Sequence, residues 1–538
     1  MIRALVSNPD HCPNTETLIW EEFVNWIEYR PVFQFDIETN VTSFWCTKEL
    51  KTLQFGDYSG EDQIVLEVSV LTMEQMDYIK SKLESWDVLK LIHNAAFEYI
   101  VMKFYGIEIH NVHCTMVTEK IISKDVDGQF FSLGELTWKY CGVNLDKTLQ
   151  TSFGEGYLTD EKIQYAATDV MYLGTIKDGQ DVEIDQWGLK NTLWLEMRSL
   201  LAFSDCTFYG VGLDVEKWKG LAHVGEPVVA QAEKNLNSCL LDDSRLLSKA
   251  VTLGYYKTED TPVFNLNSPT QKLQILKLLF PDLEGSSLSI LKKYIRDKGP
   301  TLDSTKLNLL MDLLEKKTDS LCNYAVAHHR EELIAMDMLL PKGSVTINWN
   351  SQQQALAVLQ GVEPRLKNLS EEALAKTTHE VFQRLIEYKT ALKLLSSFGE
   401  AFVEKFVEPD GKVRTNYNQV VSTGRASSAK PNMQQIPAYE AVGTAYRNCF
   451  IYTPGWKFVD SDYTGQELCL IAHASQDDVW YKAIEKGEDL HSVTAAMVFG
   501  AKWDSATQEG CVYKSDKQKC KCSGHKTLRN AIKTINFG

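Results

Sequence analysis

Residues 32–38, Val32-Phe33-Gln34-Phe35-Asp36-Ile37-Glu38, carry the pattern of a strand with one apolar side. Side chains two apart share a strand face. Phe33, Phe35 and Ile37 are therefore predicted to enter a core, while Asp36 and Glu38 stand together on the opposite face. Two adjacent carboxylates repel unless a cation neutralises them, and Mg²⁺ prefers such oxygen ligands. Taken alone, the pair reads more simply as a solvated acidic strand end. Outward from this run lie two more strand-like stretches, Asp62–Val68 (DQIVLEV) and Val88–Ala95 (VLKLIHNA), with helical patterns between and after them. Such alternation predicts a sheet flanked by helices over residues 1–190.

The 538-residue chain is long enough for three or four domains. Its 56 basic and 72 acidic residues give a formal charge of −16. That balance argues against a nonspecific basic nucleic-acid coat, but not against a nucleic-acid enzyme, whose phosphate contacts depend on local basic clusters. Twelve cysteines in this length are too sparse for a disulfide framework. No apolar run is long enough to cross a bilayer and the start lacks the pattern of a secretory signal, so a cytoplasmic setting is expected.

Residues 191–404 read as mostly helical, with one long helix expected after Ser370, where Glu371 and Glu372 suit a helix N-terminus. Leu374, Val381, Leu385, Leu392 and Leu395 recur at intervals that suit one or two buried faces. Phe264-Asn265-Leu266-Asn267-Ser268 before Gln271 is echoed by Ile347-Asn348-Trp349-Asn350-Ser351 before Gln354. Each copy reads as a strand entering a helix at a serine cap; internal duplication and chance both produce such a pair. After residue 405 come a strand-like run (RTNYNQVV, from Arg414), a Gly/Ser/Pro-rich loop, a predicted strand Trp456–Asp462 and a helix.

Tyr165 and Asp169 lie four apart in LTDEKIQYAATDVMYL, and Thr159 can cap that helix, which puts both side chains on one face. Asn94-Ala95-Ala96-Phe97-Glu98 offers a further carboxylate after an apolar strand. Singly, Tyr165 reads as a packing residue and Glu98 as a surface charge. The ordered set, DIE, then HNAAFEY, then YAATD, resembles the three exonuclease motifs of the DEDD superfamily, tyrosine subclass. Ser132–Gly142 and Lys147–Leu158 look like that family's intervening helix and loop. The resemblance implies a ribonuclease H-like 3′–5′ exonuclease in which Asp36, Glu38, Glu98 and Asp169 bind two Mg²⁺ or Mn²⁺ ions. It implies that Tyr165 orients the attacking water. The second motif commonly carries Asp where this chain has Glu98.

Further on, Thr423-Gly424-Arg425-Ala426-Ser427-Ser428 with Pro431-Asn432-Met433-Gln434-Gln435-Ile436-Pro437 resembles the loop signature of family-A DNA polymerases. Asp460-Ser461-Asp462-Tyr463-Thr464-Gly465-Gln466-Glu467-Leu468 looks like that family's first palm motif, and Asp489–Ala495 resembles its DLHS-TA segment. Arg529, Lys533 and Phe537, four and four apart, would form one stripe on a helix that resembles the start of the family's fingers helix. The likeness implies DNA contacts at Arg425, Asn432 and Gln435, a catalytic metal at Asp462, and duplex-backbone contacts at Lys389 and Lys393. Glu467 would exclude a ribose 2′-hydroxyl, and His491, Arg529, Lys533 and Phe537 would bind the incoming nucleotide.

These matches predict a multidomain α/β and α+β protein: exonuclease at 1–190, thumb and helical connector at 191–404, partial palm at 405–500, insert and start of fingers at 501–538. Its expected partners are a DNA primer–template and deoxynucleoside triphosphates. No 5′-nuclease domain precedes the exonuclease, which favours a phage-type enzyme, and the fingers motif stops at Gly538. A split or spliced enzyme completed by a C-terminal polymerase half is therefore expected. Cys511, Cys520, Cys522 and His525 offer a tetrahedral zinc set; the same insert, with Lys514, Lys517, Lys519, Lys521 and Lys526, reads equally as a basic patch for the DNA backbone. Two rivals remain at this point, an autonomous exonuclease with a relic polymerase region and a non-catalytic primer–template clamp.

Overall fold

Seven strands form the sheet that Asp36 and Glu38 sit on: β1 Ile2–Leu5, β2 Glu16–Thr17, β3 Val32–Thr39, β4 Leu50–Gly56, β5 Gln63–Glu67, β6 Leu89–Ile92 and β7 Val112–Cys114. Their order is β2-β1-β5-β4-β3-β6-β7. β3 runs antiparallel to β4 and parallel to β6. The computed structural model describes residues 1–538 except 124–130, 155, 371–372, 375–376, 437–439, 464, 507–521 and 538. It divides into two units, Met1–Thr453 and Pro454–Gly538. No helix among the described residues is long and apolar enough to cross a membrane.

The expected alternation on β3 is present. Phe33, Phe35 and Ile37 are buried in the main core with Phe23, Phe55 and Tyr99. The opposite face is also covered, because Gln34 is fully buried. Its amide oxygen accepts from the backbone N–H of Leu173 (2.6 Å) and Gly174 (3.2 Å). Gln34 thus pins the chain just beyond Asp169 to the same strand face that carries Asp36 and Glu38.

Two glycines make that approach close. A Cβ built on Gly56 would lie 2.3 Å from the Val170 carbonyl oxygen, and one on Gly60 (φ +74°) would lie 1.9 Å from that of Met171. Gly56→Ala is expected to lower stability by about 1–3 kcal/mol, the range for overpacking, and to displace the Asp169 segment. A thermal melt that matches the wild type would show that the backbone yields without cost.

Beyond the sheet, helices Val215–Asp242 and Glu380–Phe398 pack along each other. The second starts later than the sequence predicts. Ser370 does cap, its hydroxyl accepting from Ala373 N–H at 3.3 Å, but the turn it starts does not run on into the helix. Thr377 folds back on the Leu374 carbonyl, and His379 begins a new helix by accepting from Val381 N–H at 3.2 Å. Threonines favour such local hydrogen bonding over helix continuation.

The echoed segments share one hydrogen-bond set. Asn265 N–H donates to Gln271 Oε1 (2.7 Å) and Asn348 N–H to Gln354 Oε1 (2.8 Å). Asn267 and Asn350 N–H bond the preceding asparagine side chains at 2.9 and 3.0 Å. Ser268 and Ser351 cap helices Pro269–Leu279 and Gln352–Leu359, and each helix feeds a different core cluster. The same local residues thus make the same local bonds in both copies.

A small sheet joins Val211–Leu213 to Lys412–Val413 and Phe450–Ile451. Of the strand-like run after Arg414, Asn416–Asn418 pairs with Ser427–Ala429. In the second unit every described element is a helix. The strand predicted over Trp456–Asp462 is not formed. A strand is stabilised by cross-strand pairs, and no described strand of that unit stands beside it, so Trp456, Phe458 and Val459 remain exposed.

Candidate active site

Three elements deliver the four acids. Asp36 and Glu38 come from β3, and Glu98 from the first turn of helix Ala95–Phe104. Asp169 ends helix Asp160–Asp169, where Thr159 caps as predicted. Asn94, at the head of the Glu98 helix, takes a left-handed φ of 59°, which asparagine tolerates better than most residues. The oxygens of Asp36, Glu38 and Asp169 lie within 4.8 Å of one another. Glu98 is buried and its Oε2 has no hydrogen-bond partner.

A cleft of about 690 Å³ opens over these acids, lined also by Asn94, Phe97, Lys120, Lys147 and Tyr165. Burial, then the charge of Asp169, holds the Asp36 carboxyl well above the ordinary range. Burial, then Asp36 and Asp169, pushes Glu38 up to about 9. Burial and Asp36 raise Glu98, and burial raises Asp169 although Lys147 opposes it. Burial and the neighbouring acids also raise Tyr165, whose phenol stays protonated. Its ring lies 5.9 Å from that of Phe153.

Three contributors were not singled out from sequence. Gln34 fastens the Asp169 segment. Lys147 Nζ lies 2.5 Å from Asp169 Oδ1. His93, in the cleft wall, bonds Thr115 Oγ1 through Nδ1 (2.9 Å), and burial pushes its pKa down to about 3, leaving the imidazole neutral. Gln34 had a signal, since it lies two residues before Asp36 on the same face. Lys147 opens a stretch marked by the resemblance, but only the tertiary fold carries it to Asp169. A second ligand cluster, Cys46, Glu408 and Asp410, is held by the buried Arg414, whose guanidinium reaches Glu408 at 3.0 Å and Asp410 at 2.6 Å.

The polymerase-like residues fall in both units. Arg425, Asn432 and Gln435 are exposed in the first. Asn432 also accepts from Gln434 N–H (3.1 Å), so it shapes its own loop. Lys389 is half-buried and Lys393 exposed on helix Glu380–Phe398; burial lowers the Lys389 pKa. In the second unit Asp462, Glu467 and Lys533 are exposed and His491 is buried. Arg529 bonds Asp489 through Nε (2.7 Å) and Nη2 (2.8 Å). Asp489 also caps helix Leu490–Phe499 by accepting from Ser492 N–H. Phe537 lies at the end of helix Ser523–Phe537. Cys511 and Cys520 of the zinc set lie outside the described residues. Cys522 is half-buried, and His525 is buried, its ring 4.2 Å from that of Trp503 and its Nε2 2.9 Å from the Trp503 carbonyl.

Two family models match parts of the chain. Residues 15–179 match the 3′–5′ exonuclease family model and residues 342–538 that of DNA polymerase family A. DNA polymerase I of Chloroflexus aurantiacus is 36% identical over 169 residues, 28% of this chain and 18% of that protein. The thermostable DNA polymerase I of Thermus aquaticus is 31% identical over 164 residues, 30% of this chain and 18% of that protein. The matched stretch thus spans about a fifth of each relative. A solved structure, the POL domain of Pol1 from M. smegmatis in complex with DNA primer-template and dNTP, shares the fold. Its TM-score is 0.59 at 18% identity, over 100% of this chain and 71% of that one.

Proposed function

We propose that this chain, whose residues 342–538 belong to DNA polymerase family A and whose residues 15–179 belong to the 3′–5′ exonuclease family, hydrolyses DNA from its 3′ end at the Asp36 cleft. The observation that carries the reading is the convergence of four carboxyls from three separated stretches, Glu38, Glu98 and Asp169 buried and Asp36 half-buried, three of them with oxygens within 4.8 Å. The donor set is all oxygen, which suits Mg²⁺ or Mn²⁺, and the partnerless Glu98 Oε2 fits a site that awaits a cation. Asp36, Glu38, Glu98 and Asp169 would hold the ions, which supply Lewis acidity and a water activated at neutral pH.

The chain's own groups do the rest. Tyr165, protonated beside Asp169, orients the attacking water through its hydroxyl. Phe97 and Asn94 border the space for the terminal nucleotide. Water oxygen adds to phosphorus, the P–O3′ bond breaks and its electron pair leaves on the 3′ oxygen. That oxygen takes up a proton, and the water proton passes to solvent. The products are a nucleoside 5′-monophosphate and a strand one nucleotide shorter. Incubation of residues 1–538 with 5′-labelled single-stranded DNA and Mg²⁺ should give a ladder descending by single nucleotides. An unchanged strand, or release of the labelled 5′ nucleotide first, would refute the reading.

The second proposed activity is templated nucleotidyl transfer, with primer–template DNA and deoxynucleoside triphosphates as substrates and Asp462 as metal ligand. Asp462 joins neither three-ligand cluster of the described residues, and a two-metal transfer site needs more than one carboxylate. Residues 1–538 alone are expected not to extend a primer. A second polypeptide that supplies the remaining carboxylate should restore extension, and Asp462→Ala should then abolish it while sparing the nuclease. Extension by residues 1–538 alone that is lost in Asp462→Ala would overturn this part.

A further inference from the structure

Lys147 stands 22 residues before Asp169 in sequence, yet its Nζ contacts Asp169 Oδ1 and lies 5.1 Å from the centroid of the Tyr165 ring. Its side chain is 31% exposed and lines the cleft. Its charge also acts on Asp36 and Glu38. The lysine is therefore inside the acid cluster and open to whatever enters the cleft. An ammonium on a flexible stem is a mobile point charge with three donors. It pairs with Asp169 while that carboxylate is the nearest anion. Once divalent cations share the charge of Asp169, the nearest uncompensated anion is the phosphate of the strand lying over the acids.

We propose that Lys147 is a further catalytic residue of this site, its ammonium donating to a non-bridging oxygen of the scissile phosphate and offsetting the charge that builds there as water adds. The inference rests on the exonuclease reading above. The contact is a hydrogen bond only and adds no proton transfer to the reaction. The competing role is that of a counter-ion that only steadies Asp169.

The two roles separate in the full chain with Lys147→Met and Lys147→Arg, read on an oligothymidylate. If Lys147 touches the phosphate, Lys147→Met should lower kcat roughly 100-fold, the loss typical of one donor to a developing oxyanion, and Lys147→Arg should recover part of it. With Ca²⁺ replacing Mg²⁺, the slope of log affinity against log salt should fall by about 0.7, the value for one single-strand phosphate contact. Mn²⁺ affinity of the DNA-free protein, measured by calorimetry, should be unchanged or tighter in Lys147→Met, because a competing cation is gone. Wild-type kcat in Lys147→Met would overturn the proposal. So would a kcat loss that excess Mn²⁺ reverses with the salt slope unaltered, since that is the counter-ion role. If Lys147→Met does not fold, Lys147→Arg and Lys147→Gln carry the same comparison. Failure of the wild type to cleave would sink the exonuclease reading itself, whereas cleavage by wild type and Lys147→Met alike overturns only the phosphate contact.

Discussion

Asp36→Ala should reduce 3′-end hydrolysis by at least about 1,000-fold, because the residue sits at the centre of the acid cluster. Its carboxyl is within ligand distance of Glu38 and Asp169 and electrostatically tied to Glu98. Losing it removes a ligand position that no other described side chain replaces. Glu98 should behave in a graded way. Glu98→Ala should impair cleavage, whereas Glu98→Asp should remain active, since the carboxylate stays while moving by about one bond length. Circular dichroism would establish that each variant is folded, and initial rates on one labelled strand would rank them. Equal rates for wild type and Asp36→Ala would place the activity elsewhere, and a full rate in Glu98→Ala would remove Glu98 from the site.

The metal-free protein should lose stability as pH rises. Glu38 has an ordinary value of 4.5 and is pushed up to about 9 in the fold, and Asp36 and Glu98 are raised too. Below the unfolded value both states hold the proton, so the folded acid carries no penalty. Between the two values the unfolded chain has released its proton while the fold retains it, and stability falls with each pH step until the folded value is passed. Thermal melts without metal should therefore drop from pH 5.5 to 8.5. Glu38→Gln, which cannot ionise, should melt roughly 5 °C higher than wild type at pH 8.5, although it loses activity. Mg²⁺ or Mn²⁺ should raise the wild-type melting temperature most at the alkaline end, because ligation there displaces fewer protons. A metal-free melt that is flat over this range, with Glu38→Gln equal to wild type, would show that the acids are solvated.

Much of the nuclease half was legible because its chemistry is written in short periods. A period of two put Asp36 and Glu38 on one strand face, and a period near four put Tyr165 and Asp169 on one helix face. Both placements hold. The serine caps of the echoed segments were legible for the same reason, since a capping hydroxyl and the backbone N–H that donates to it lie three residues apart. Local signals misled where continuation depends on a partner. The run at Trp456–Asp462 has the composition of a strand but no described neighbour to pair with, and the helix expected after Ser370 is broken by a second cap at His379.

Sequence by itself determined an ordered set of acids and a tyrosine, on elements whose faces follow from backbone geometry alone. Only the tertiary structure decided what surrounds them. Gln34 joins Asp169 to β3 through backbone N–H groups 139 and 140 residues away. Gly56 and Gly60 let that backbone approach. Lys147 enters the acids, and Arg529 is turned onto Asp489. The physical reason is range. Face and cap are set by the repeat of the backbone over a few residues, whereas burial, pairing and pKa depend on groups that only packing brings within a few ångströms.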